Sequence, residues 1–131
     1  MRSFVLLLAL AWAGAALADA ALDRRLQLDP AQARQLAAIE AEYRRDFASV
    51  RQDHNRESRA LRRARLANDS AEVDRLTAVT EALRQQLRAL RVAQDERIVA
   101  LLRPEQRPLF DDYVAERRQM VGSSRDERLI E

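Results

Sequence analysis

The chain has 131 residues, 34% of them charged, and all 23 of its basic residues are arginine; against 21 acids the formal charge is +2. It has no cysteine, one histidine (His54), two glycines and three prolines. Disulfides, thiol catalysis and thiolate metal sites are therefore excluded, and long helices are favoured over a turn-rich sheet.

Residues 1–18 read as a targeting segment. Arg2 supplies a short positive start, Phe4 to Ala13 form an apolar stretch, and Ala16-Leu17-Ala18 is a small-x-small cleavage site before Asp19. The apolar run is shorter than the ~20 residues that span a bilayer. Cleavage after Ala18, export to the periplasm and no stable membrane insertion afterwards are the expectation.

Residues 19–28 form a polar, flexible leading segment. Asp29-Pro30 then starts a helix, with Asp29 as N-cap, Pro30 at the first helical position and Gln32 three residues on. No Gly or Pro interrupts the chain from there to Ala67, where Asn68-Asp69-Ser70 breaks the pattern. Asp69 with Glu72 signals a second helix, which runs to about Leu102. Pro104 disfavours helix at Arg103, so this boundary reads as a turn with helix resuming near Arg107 or Pro108. A shorter third helix is expected to Met120, followed by a flexible tail over residues 121–131.

Apolar spacing supports the two long helices. Leu36, Ile39, Tyr43, Phe47, Val50, His54 and Leu61 form one stripe; Val73, Leu76, Thr80, Leu83, Leu87, Leu90, Gln94, Ile98 and Leu101 form the other. Thr80 and Gln94 read as polar positions that set register. Two long helices joined by so short a loop should pack antiparallel. The fold class is thus all-α: a long antiparallel helical hairpin over residues 29–120 with a short third C-terminal helix. One stripe per helix is little core, so a homodimer is expected to bury the rest.

The two helix boundaries repeat one pattern. Leu28-Asp29-Pro30-Ala31-Gln32 and Leu102-Arg103-Pro104-Glu105-Gln106 are both Leu-x-Pro-x-Gln, 74 residues apart. With a leader and a helical hairpin, this arrangement resembles the Spy/CpxP family of periplasmic proteins and the related heavy-metal-resistance sensors, whose signature is a repeated Leu-Thr-x-x-Gln. The motif residues here are Leu28, Asp29 and Gln32, then Leu102 and Gln106. Asp29 can replace threonine as a cap, whereas Arg103 cannot accept a hydrogen bond from a helix start. The resemblance implies one of three roles: an ATP-independent chaperone for unfolded clients, an adaptor for an envelope-stress sensor kinase, or a sensor of a divalent metal.

The residues weigh among these roles. His54 is solitary, Val50 stands where a two-histidine helical site would place its partner, and Glu57 is the nearest candidate co-ligand. With at least three protein ligands needed for zinc, no dedicated metal site and no cofactor are expected. Residues 44–65 hold eight arginines against three acids, a net of +5. Arg44, Arg51 and Arg62 flank the first apolar stripe, and Arg84, Arg88 and Arg91 fall opposite its middle, so these six are the candidate binding residues. A basic rim beside apolar side chains suits an unfolded or amphipathic client or an acidic sensor domain. Nucleic acid is not expected, because aromatic residues do not interleave with the basic ones. A membrane-surface role competes with this reading, but the apolar stripe reads as packing. Acidic pairs such as Asp95-Glu96 lack a pocket, and no phosphate loop or nucleophile constellation occurs, so no enzyme is expected.

Overall fold

A computed structural model describes residues 21–126, with side chains through Val121. The leader, its cleavage site and the last residues of the tail lie outside the described residues. Within them the chain is all-helical and contains no strand. The long helices are α1 (Pro30–Leu66) and α2 (Ser70–Leu101); a 3₁₀ turn at Pro104–Gln106 leads into α3 (Arg107–Asp126).

Each boundary has a local cause. Residues 21–25 are helical and close through Leu28 N–H to Asp23 C=O (3.1 Å) and Gln27 N–H to Arg24 C=O (3.2 Å), with Gln27 left-handed at φ 54°. The same closure ends α1: Asp69 N–H reaches Ala64 C=O (3.1 Å), Asn68 N–H reaches Arg65 C=O (3.2 Å), and Asn68 has φ 56°. Asparagine tolerates that region better than most side chains. Asp69 then caps α2 by accepting the Glu72 N–H at 3.1 Å. At the last boundary helix resumes at Arg107, as the two prolines require. The third helix is longer than expected and continues through Gly122, whose cost inside a helix is only about 1 kcal/mol.

The chain resolves into two compact units, one formed by residues up to Ala37 with those from Leu101 onward, the other by Ala38–Ala100. The first is built around Leu22, Leu26, Leu36, Leu102 and Phe110, with Gln32 and Gln106 buried among them. The leading segment, expected to be flexible and polar, thus supplies two core leucines. Its Arg25 makes a bidentate pair with Glu116 of α3 (2.7 and 2.8 Å) and lies over the Tyr113 ring. The reason is spacing: Leu22 and Leu26 are one turn apart, so both face inward while Arg24 and Arg25 stay outside.

The second unit buries Ile39, Ala64, Leu76, Thr80 and Ile98. Glu42 pairs with Arg97 at 2.8 Å, and Arg91 lies over both the Tyr43 and Phe47 rings (5.7 and 5.9 Å). The Thr80 hydroxyl donates within its own helix, to Leu76 C=O (2.9 Å) and Thr77 C=O (3.0 Å), so its burial leaves no unmet donor. The middle of both stripes is only half-buried: Tyr43, Phe47, Val50, His54, Leu83, Leu87 and Leu90 all keep part of their surface open.

Candidate functional site

The first unit brings the two motif copies together. Gln32 Nε2 donates to Gln106 Oε1 (2.9 Å), and Gln106 Nε2 donates back to Gln32 Oε1 (3.2 Å). Each oxygen also accepts an amide from its own copy, Asp29 N–H at 3.1 Å and Arg103 N–H at 2.9 Å. Each amino group spends its other hydrogen on the carbonyl just before the opposite copy: Gln32 on Leu101 C=O (3.1 Å), Gln106 on Gln27 C=O (2.9 Å). Both primary amides therefore use every donor and acceptor they have, which is what permits their burial. The arrangement has two-fold character although it lies within one chain.

The second motif positions meet as well. Arg103 Nη1 donates to Asp29 Oδ2 at 3.0 Å, while Asp29 Oδ1 accepts the Gln32 and Ala31 N–H groups at 2.9 and 3.0 Å. The Arg103 guanidinium has no acceptor, so the second copy makes only the reverse half of a capping box, through Gln106 Oε1. The arginine that cannot cap its own turn instead neutralises the cap of the other copy.

The Gln32 backbone N–H, helped by the Arg103 guanidinium, holds the Asp29 carboxyl below the ordinary carboxylate range. A depressed folded value means that this stabilisation is present above the unfolded value near 3.9 and is lost as pH falls through the folded one. Asp29→Asn keeps a cap but removes the charge pair. Its urea midpoint should lie below that of the parent at about pH 6 and converge with it in acid, once the Asp29 carboxyl is protonated in both states. A pH-independent gap would contradict the assignment.

In the second unit an open groove runs along α1 from Tyr43 to Arg59, lined also by Arg44, Phe47, Ala48 and Arg51. The Tyr43 and Phe47 rings stack at 5.3 Å and form its apolar flank. Of the six arginines expected from the sequence, Arg44 and Arg51 line this groove and Arg91 sits on the same two rings. Arg62 is exposed and outside the groove. Arg84 and Arg88 are instead held by Glu81 (3.4 and 2.9 Å). Arg59, which lines the groove, was not among the six; its place one turn beyond Asn55 on the same face was the available signal.

His54 is half-buried on the stripe, and its Nε2 is buried without a hydrogen-bond partner. Glu57, the expected co-ligand, accepts from Arg56 Nε at 2.9 Å. Among the described residues no group of three or more His, Cys, Asp or Glu side chains could hold a metal ion. One nitrogen beside an engaged carboxylate does not match the four-ligand demand of zinc.

A sequence profile described as "LTXXQ motif family protein" matches residues 17–113, which include both motif copies. The chain belongs to the LTXXQ motif family. This is the family of Spy/CpxP-like periplasmic proteins. Comparison with curated proteins and with solved structures gives no match. Against the LTXXQ signature this member carries Asp29 and Arg103 at the two threonine positions, the pair that meets at 3.0 Å. No helix among the described residues is long and apolar enough to cross a membrane.

Proposed function

We propose that this member of the LTXXQ family is a periplasmic binding protein, exported by its leader, that acts without ATP as a chaperone or stress-sensor adaptor. In this reading α1 and α2 pack as an antiparallel hairpin, which the Glu42–Arg97 pair and the Arg91–Tyr43 contact support. A second copy covers part of the half-buried stripe. The motif clasp joins the start of α1 to the turn before α3, leaving the middle of α1 to meet partners.

The observation that carries the proposal is the groove. It places a half-buried aromatic pair beside the exposed Arg44, Arg51 and Arg59 along one side of the helix. Guanidinium groups beside aromatic surface bind acidic and apolar segments of the same chain, because they pair carboxylates and stack on rings. An unfolded client offers both; so does an acidic amphipathic sensor surface. Nothing in this arrangement performs a covalent step.

The test is aggregation of a reduced or heat-unfolded client in the absence of nucleotide. The protein should suppress light scattering near equimolar ratio; unchanged scattering would count against the proposal. The metal-sensing alternative rests on the unpartnered His54 Nε2. Calorimetry with zinc, nickel, cobalt and copper separates the two: heat that vanishes in His54→Ala would favour the alternative, and no heat above buffer would remove it.

A further inference from the structure

At about 100° per residue, Arg59, Arg62, Arg63 and Leu66 fall within one sector of α1 about 100° wide. Glu42, Asp46, Asp53 and Glu57, the acids of the helix beyond Glu40, fall on the far side. The last turns of α1 thus present guanidinium groups unopposed on one face. Among the described residues Arg62, Arg63 and Arg65 make no ion pair, in contrast to Arg25, Arg56, Arg75, Arg97 and Arg103. Leu66 sits among them with 84% of its surface exposed, the most open of the large apolar side chains among the described residues.

The end of the unit continues this exposure. Every residue from Arg65 to Ala71 is exposed. Of the acids beyond the turn, Asp69 caps α2, Glu72 is engaged by Arg75 at 2.6 Å, and Asp74 is exposed. Basic residues in a last helical turn also complement the helix dipole, which accounts for Arg63 and Arg65. It does not account for Leu66, which gains nothing in water.

We infer that this end of the unit docks peripherally on an anionic phospholipid surface, with Arg62 and Arg63 on headgroup phosphates and Leu66 in the interface. Phosphate matches the guanidinium fork, and a single exposed leucine beside it suits the headgroup boundary. A second copy does not fit here, because it would oppose arginines to arginines. This contact is independent of the client groove, since Arg62, Arg63 and Leu66 do not line it.

Protein purified from the periplasm of an expressing cell is sedimented with vesicles of phosphatidylethanolamine and phosphatidylglycerol, and with neutral phosphatidylcholine vesicles. Each arginine near an anionic surface contributes a factor of about five in partitioning. Arg62→Glu/Arg63→Glu should therefore lower binding to anionic vesicles by at least about 25-fold, and added salt should release the parent. Leu66→Ser, which leaves all charges in place, should lower it several-fold while circular dichroism stays unchanged. Client aggregation should be suppressed as before in Leu66→Ser, which touches none of the candidate binding arginines. Equal binding to neutral vesicles, retained binding in both variants, or capture of soluble polyglutamate by the tip as tight as that of vesicles would each overturn the inference.

Discussion

Gln106→Ala should destabilise the fold by about 3 kcal/mol, read as a lowered urea midpoint. Gln106 is 2% exposed, and its side chain takes part in four hydrogen bonds. Truncation leaves half of the buried Gln32 amide without a partner, together with the part-buried Arg103 N–H and Gln27 C=O. Each stranded group costs roughly 1–3 kcal/mol, more than the net worth of the bond it lost. Gln32→Ala should have a similar effect for the same reason. The double variant should fall short of the summed losses by about 1–2 kcal/mol, because the second truncation finds its partner already gone. Strict additivity would mean that the two amides do not act as one device.

Charge reversal in the groove should have the largest effect on partner binding. Arg51 makes no ion pair among the described residues, and Arg44 faces Glu40 at 3.8 Å, so both present charge to the groove. Arg44→Glu/Arg51→Glu replaces two attractions for an acidic client with two repulsions. Exposed pairs contribute about 0.2–1 kcal/mol each, so four such changes amount to roughly a tenfold or greater loss of affinity. The change should fall mainly on the association rate and shrink with added salt. Stability should hold, because both side chains are exposed.

The helices and their breaks were legible because their causes are local. Asp29, Pro30, Asn68 and Asp69 act within a few residues of themselves. The resumption of helix near Arg107 followed from Pro104 and Pro108 together. The clasp was only half legible. Gln32 and Gln106 were recognisable as reverse-capping residues, but their mutual bonds join positions 74 apart, which no local pattern encodes. Arg103 illustrates the gap: read alone it is a failed cap, and only the approach of the two copies makes it the partner of Asp29. Leu22 and Leu26 were hidden by the two arginines that follow Asp23, and Ala64 by its size, since the stripes were traced through bulky residues. Arg84 and Arg88 were assigned to binding although Glu81 stands three and seven residues before them, within reach along one helix face.

The central claim, that partners bind along the Tyr43–Arg59 face of α1, is tested most directly by titrating a labelled, permanently unfolded acidic client and following its anisotropy at several salt concentrations. The account predicts saturable binding that weakens as salt rises and falls tenfold or more in Arg44→Glu/Arg51→Glu, with the parent and variant converging at high salt. Affinity that ignores both salt and the double reversal would contradict it.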